Sequence, residues 1–258
     1  MVKMVVTDLD GTLLNNDGQI SKYSKNVLEK CMELGIKIVF ATARPIRATS
    51  IFFPTVKPNA IICHNGAYVI ADNNIIAKYE IKFTMVNEII GKIDRLFDEY
   101  NLIVEIDDKM YTNFNPELYW DNIEYESIKN MPSMDADKII VGIDDLEKLI
   151  KIKDFLPNEL YFEKGLGAKG GLIGLVINKE AKKWNGIKTL LDYYKIKSDE
   201  VIAFGDNEND YEMVKNCGIG ISVDNAIDDV KKISKYTCGN NNDNGVAEWI
   251  EKNVIKNY

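Results

Sequence analysis

The sequence has a single histidine, His64, among 258 residues, and its four cysteines, Cys31, Cys63, Cys217 and Cys238, stand far apart with no Cys-x-x-Cys pair. A histidine-rich zinc site is therefore excluded, and a Ser-His-Asp triad would have to use His64. Scattered cysteines among apolar or helical neighbours behave as small hydrophobes, so all four read as reduced and structural. Any metal is then expected to be a hard cation held by oxygen. Basic excess is missing as well. Thirty-two Lys and Arg against 40 Asp and Glu leave a net charge of −8, the wrong sign for gripping the phosphate backbone of nucleic acid. No apolar run approaches the ~20 residues of a membrane span, and no signal-peptide apolar stretch opens the chain. These absences lead to the expectation of a cytoplasmic protein that binds neither nucleic acid nor membrane.

What is present suits a sizeable core, with 46% apolar and 28% charged residues, a normal globular balance. Short apolar runs end abruptly in polar turns. Met4-Val5-Val6 runs into Thr7-Asp8-Leu9-Asp10-Gly11-Thr12, Ile36 to Ala41 into Thr42-Ala43-Arg44-Pro45, and Ala60 to Cys63 into His64-Asn65-Gly66. Runs of this length bounded by turn residues read as buried strands of a parallel sheet. Between the first two, Ser21 to Leu34 carries Val27, Leu28, Cys31 and Met32 on one helical face, with Gly35 placed to end it. Val69 to Ile81 reads as a hairpin turning at Asp72-Asn73-Asn74.

The pattern then changes. Thr84 to Tyr100 has helical spacing, followed by strands at Leu102 to Ile106, Lys109 to Phe114 and Lys138 to Ile143. A helix at Leu146 to Phe155 and strands at Glu159 to Glu163 and Gly171 to Ile177 complete this stretch. Helix-strand-strand units describe an α+β module inserted into the first domain. The glycine-rich run from Gly165 to Gly171 lacks the Gly-Lys-Ser/Thr ending of a phosphate loop and precedes a strand, so it reads as a hairpin turn. Alternation of helix and strand resumes with a helix from about Trp184 to Tyr194 and a strand at Val201 to Phe204. That strand releases Gly205-Asp206-Asn207-Glu208-Asn209-Asp210, and a helix follows from Tyr211. A short strand at Gly218 to Val223, helices at Ala226 to Ser234 and Val246 to Lys252, and a polar Asn240–Asn244 turn finish the chain. The fold class is thus α/β, a Rossmann-like parallel sheet core (1–81 and 178–258) with an inserted α+β cap domain (82–177).

Ligands in open parallel sheets bind outside the carboxyl ends of the strands, where the polar clusters fall: Asp8/Asp10, Thr42/Arg44, Asn65/Gly66 and Asp206/Asp210. Asp8 and Asp10 are two apart, so in extended chain they would point to one side, where paired carboxylates need a proton or a cation. Gly11 lets the backbone turn close to a ligand, and its amide with that of Thr12 can face an anion. Carboxylates for a metal beside amides for a phosphate are the ingredients of phosphoryl transfer.

These residues resemble the haloacid dehalogenase-like phosphohydrolases, specifically the Cof-type branch. The resemblance rests on Asp8-Leu9-Asp10-Gly11-Thr12, Ala41-Thr42-Ala43-Arg44, Asn65-Gly66, Lys183 and the Gly205 to Asp210 run. The Asp224-Asn225-Ala226 and Asn244-Gly245-Val246 segments add to it. It implies that Asp8 is the nucleophile forming an aspartyl-phosphate and that Asp10 is the acid and base, its backbone carbonyl joining the metal shell. Asp8, Asp10, Asp206 and Asp210 would hold Mg²⁺. Thr42 and Asn209 would hydrogen-bond the phosphoryl group and Lys183 would balance its charge. Gly11, Thr12, Arg44, Asn65 and Gly66 would line the substrate. Lys183 is preferred over adjacent Lys182 for its spacing to Ile187 and Leu190. Three departures are Ala43 in the place of a more usual glycine, Val223-Asp224 where relatives often carry Met-Gly, and the unusually glycine-rich hairpin at 165–171. In the cap, Tyr119, Trp120 and Lys169 are candidates for specificity, although aromatics there more often serve a core.

The implied activity is Mg²⁺-dependent hydrolysis of small phosphorylated metabolites, sugar phosphates foremost, by a monomer or homodimer. The alternatives are a phosphotransferase or phosphomutase, or a non-catalytic phosphosugar-binding regulator. A response-regulator receiver is too short to account for the chain.

Overall fold

A computed structural model describes residues 1–121, 123–167 and 169–257. In chain order the first segment holds β1 (Met4–Thr7), α1 (Lys22–Glu33), β2 (Lys37–Ala41), α2 (Ile46–Ser50), β3 (Ala60–Cys63), β4 (Tyr68–Ala71) and β5 (Asn74–Lys78). The middle segment holds α3 (Phe83–Leu96), β6 (Asn101–Ile106), β7 (Lys109–Thr112), β8 (Glu126–Ser127), β9 (Lys138–Gly142), α4 (Leu146–Lys151), β10 (Leu160–Leu166) and β11 (Leu172–Asn178). The last holds α5 (Lys183–Tyr194), β12 (Val201–Gly205), α6 (Tyr211–Asn216), β13 (Ile219–Ser222), α7 (Asp228–Ile233), β14 (Tyr236–Thr237) and α8 (Gly245–Asn253). The contacts divide the chain into two compact units, Met1–Lys78 with Lys182–Tyr258, and Tyr79–Ala181.

In the first unit eight strands form one sheet in the order β14-β13-β12-β1-β2-β3-β4-β5. The six from β14 to β3 are parallel, and β4 and β5 continue the sheet as an antiparallel hairpin. The parallel strands from β13 to β3 are largely buried on both faces, which is why they read as unbroken apolar runs, whereas the two-residue edge strand β14 is exposed. Register places Met4 beside Val201 and Lys37, and Thr7 beside Phe204 and Phe40. Successive strands proceed outward from β1 through β2 to β3, whereas β12, β13 and β14 build on its other side. The strand order therefore reverses between β1 and β12, the switch point at which such sheets bind ligands. In α1, Ser21 caps the start by accepting from the Ser24 amide at 3.0 Å, Val27, Leu28 and Cys31 are buried, and Gly35 at φ +80 stops the helix.

The second unit carries a six-stranded sheet in the order β10-β11-β9-β6-β7-β8. It is antiparallel apart from the short parallel pair β7 and β8. Its core joins Val86, Ile89 and Ile93 of α3 and Leu149 of α4 to Leu102, Val104, Ile139, Val141 and Val176 of the sheet. The turn of the β10–β11 hairpin is shorter than the glycine-rich run read from the sequence: Gly165 and Leu166 still pair with β11, and the Gly167 amide closes the turn by donating to Gly171 O at 2.8 Å, although Ala168 lies outside the described residues. Tyr119 is core: it is buried, and its ring and hydroxyl occupy the space where side chains at Gly142, Gly167 and Gly171 would stand.

Some element ends differ from the pattern in the sequence. Helix α3 stops at Leu96 instead of Tyr100, because Phe97 turns to extended backbone and buries its ring in the core. The helix read at Leu146 to Phe155 is α-helical only to Lys151 and tightens to a 3₁₀ turn over Ile152–Phe155. The two-residue strands β8 and β14 are too short to leave any periodicity.

Candidate active site

Strand β1 ends at Thr7, and the chain leaves it through Asp8 into a single wide turn, Leu9–Leu13, closed by the Leu14 amide donating to Leu9 O at 2.9 Å. This turn separates the two acids that an extended chain would place together. Asp8 is buried beside β12, its amide donating to Phe204 O at 3.1 Å. Asp10 turns outward, with 57% of its side chain exposed. There Arg44 grips it with two charge-assisted hydrogen bonds, Nε to Oδ2 at 2.7 Å and Nη2 to Oδ1 at 2.6 Å. Gly11 has φ +75, and a Cβ there would stand 2.7 Å from Asp206 Oδ2. Only glycine lets the turn come this close to β12's loop. Thr12 completes the junction, its hydroxyl donating to Asp206 Oδ1 at 2.6 Å.

Three carboxylates converge here. One oxygen each of Asp8, Asp206 and Asp210 lie within 4.8 Å of one another. Asp210 is fully buried. Its Oδ2 accepts from the amides of Asp206 at 2.9 Å and Asn207 at 3.2 Å, and its Oδ1 accepts from Lys183 Nζ at 2.7 Å. Lys183, the first residue of α5, is also buried, and its ammonium bridges to Asp8 Oδ1 at 2.8 Å. Lys182 points away and pairs with Glu212 at 2.6 Å on the surface. Of the two adjacent lysines, Lys183 is the one in the acidic cluster.

Electrostatics in this cluster are unbalanced. Burial pushes the Asp8 carboxyl well above its ordinary range; Lys183 pulls it down, and Asp210 and Asp206 push it further up. Burial also raises Asp206, against the Thr12 hydrogen bond. Lys183 is raised: burial opposes its charge, but Asp210 and Asp8 together outweigh that cost. One ammonium thus faces three carboxylates. The remaining negative charge and the all-oxygen donor set fit a hard divalent cation such as Mg²⁺, which these three side chains would hold.

The strand ends beside β1 supply a second group. Thr42 is buried after β2, and its Oγ1 accepts from the Arg44 amide at 3.1 Å. Its carbonyl accepts from the Asn65 amide at 3.0 Å. Asn65 sits in the left-handed region at φ 58, a conformation that asparagine tolerates better than most residues. Its Oδ1 accepts from Asn209 Nδ2 at 3.0 Å, while the buried Asn209 Oδ1 has no hydrogen-bond partner. At Gly66, φ is +120 and a Cβ would stand 2.3 Å from Lys182 O, so the glycine lets this turn abut the start of α5. Asn225, quoted above only as part of a motif, donates from Nδ2 to Gly11 O at 2.7 Å. The signal for it in the sequence was the density of asparagines near the end of the chain, which gives no role to any one of them.

A doubly wound parallel sheet with acidic side chains gathered at its switch point places the chain among the ligand-handling α/β enzymes. The chain matches the haloacid dehalogenase-like hydrolase model over residues 5–250; it belongs to that family, and the resemblance in its motifs is borne out. It is 25% identical to the 5-amino-6-(5-phospho-D-ribitylamino)uracil phosphatase YitU of Bacillus subtilis, over 96% of both chains. It is equally 25% identical to a phosphoglycolate phosphatase of Methanobrevibacter smithii, over 98% of this chain and 99% of that one. A crystal structure from Thermotoga maritima superposes with a TM-score of 0.85 at 25% identity, covering 98% of this chain and 97% of its own.

Proposed function

We propose that the protein is a Mg²⁺-dependent phosphatase of small phosphorylated metabolites, with sugar phosphates as the leading class. The observation that carries this reading is the buried Asp8 carboxylate, fixed by Lys183 beside Asp206 and Asp210. Phosphatase relatives spanning the whole chain support it. When bound, Mg²⁺ would supply the charge that lets an anionic nucleophile meet an anionic phosphoryl group.

In this reading Asp8 attacks phosphorus through one carboxylate oxygen; the new O–P bond forms as the ester O–P bond breaks, leaving an aspartyl-phosphate. Asp10 gives its proton to the departing alkoxide and then accepts one from the water that attacks phosphorus, releasing phosphate and restoring Asp8. Because Arg44 holds both oxygens of Asp10, this role requires Arg44 to release Asp10 when a substrate binds. Lys183 holds Asp8 in place and offsets charge, while Thr42, Asn209 and the amides of Gly11 and Thr12 hydrogen-bond the phosphoryl oxygens. Arg44, Asn65 and Gly66 border the substrate. The inserted unit is assigned as the cap, and the protein is assigned to the cytoplasm.

The test is phosphate release from a panel of sugar phosphates, nucleotides and an aryl phosphate, with and without chelator. Wild type should need metal, and Asp8→Asn should lose about 10³-fold or more in rate. Equal turnover by Asp8→Asn would end this reading.

A further inference from the structure

The Asn240–Asn244 turn and Asn225 have no part in the chemistry above, yet their hydrogen bonds converge on the nucleophile's turn. Asn225 Nδ2 donates to Gly11 O at 2.7 Å, and Asn225 Oδ1 accepts from the Asn241 amide at 3.0 Å. Asn241 is itself buried, and its Nδ2 donates to Leu14 O at 2.8 Å. Both ends of the Gly11–Leu14 segment are thereby tied to the same late stretch of chain. A third link, the Asn16 amide donating to Asn242 Oδ1 at 3.2 Å, lies outside that segment.

The peptide joining Gly11 to Thr12 is planar and trans, so its C=O and N–H point in opposite directions. Fixing Gly11 O on Asn225 fixes the direction of the Thr12 N–H. On the other side of the same residues, Thr12 Oγ1 holds Asp206, and Gly11 lies too close to Asp206 to take a side chain. A rotation of this peptide would therefore swing the Thr12 amide away from its direction and disturb the Asp206 carboxylate together.

We infer that Asn225, seated on Asn241, is a positioning residue that locks the Gly11–Thr12 peptide and, through it, the Asp206 carboxylate that Thr12 holds. The inference rests on the phosphatase reading for its kinetic consequence, but its structural content does not. Asn225 is exposed, so removing its side chain opens no core cavity and separates orientation from folding.

The experiment compares Asn225→Ala with Asn242→Ala, which cuts the neighbouring link from the same turn. Asn225→Ala should lower kcat about 10²-fold with KM changed less than about threefold, the cost of a displaced Asp206 carboxylate. Its thermal midpoint should stay within a few degrees of wild type. Asn242→Ala should leave kcat unchanged. Hydrogen exchange over residues 9–14 provides a readout independent of turnover: it should be at least ten times faster in Asn225→Ala and unaltered in Asn242→Ala. A folded Asn225→Ala with wild-type kcat and exchange overturns the inference, as does an equal fall in kcat for both variants. If wild type releases no phosphate from any compound, the phosphatase reading fails, and exchange alone then decides whether the lock exists.

Discussion

At the scale of the residue, Lys183 decides whether the acidic cluster can exist without metal. It is fully buried and touches both Asp8 and Asp210. Lys183→Met would leave buried carboxylates without their countercharge, which costs about 3–5 kcal/mol at neutral pH. Without the ammonium, the Asp8 carboxyl, already raised by burial, rises further. A carboxyl raised above its unfolded value takes up its proton in the folded state first, so stability falls as pH rises through that window. Denaturant titrations in chelator should find Lys183→Met weaker than wild type, with the gap narrowing from pH 8 to pH 5; a gap independent of pH would refute this account. Lys183 was singled out from Lys182 only through the resemblance, by its spacing to Ile187 and Leu190, whereas Asp8 and Asp206 were legible in the sequence because each stands where an apolar run stops. The divergence of Asp8 and Asp10 was not. Two-residue spacing implies one face only while the chain stays extended, and here β1 ends before Asp8.

At the scale of the element, α5 is held in register by two glycines. Gly66 abuts Lys182 O, and Gly186 lies against Ile62 of β3, where a Cβ would come within 2.8 Å of Cγ2. Gly66→Ala adds a methyl group against backbone at a positive φ, so it should shift the start of α5 and, with it, Lys183. We expect Gly66→Ala to lose at least tenfold in kcat. Gly186→Ala meets only a side chain and should cost about 1–3 kcal/mol of stability, with kcat held within about threefold. Urea unfolding and steady-state kinetics on both variants check this contrast, and the reverse pattern would place Lys183's position under other control. The helices and strands themselves were largely legible, since caps such as Ser21 and breaks such as Gly35 are local. The need for glycine at 66 was not, because the clash that demands it comes from residue 182, which is distant in sequence.

At the scale of the whole molecule, the inserted unit Tyr79–Ala181 carries its own sheet and its own buried core. Such a unit has the anatomy of an independent domain. Expressed alone, residues 79–181 should unfold in one cooperative urea transition with near-ultraviolet dichroism from packed aromatics, Tyr119 among them. A broad, non-cooperative transition would show that it depends on the rest of the chain. The alternation of strands and helices announced two kinds of architecture in the sequence. The order β14-β13-β12-β1-β2-β3 was not legible, since which apolar strands lie side by side is settled by long-range pairing that no local pattern records.

That strand order also has a bearing on biosynthesis. β1 precedes every other described strand of its sheet in translation, and β2 can pair with one of its edges as soon as the next helix is made. Its other edge belongs to β12, Val201–Gly205, which the ribosome delivers only after the entire inserted unit. Until β12 is made the nascent chain thus presents an open apolar β-edge ending in the nucleophile's turn, a surface inviting misassociation. Slow elongation through the inserted unit would prolong that exposure, and the burden on cellular chaperones should fall once β12 slots in.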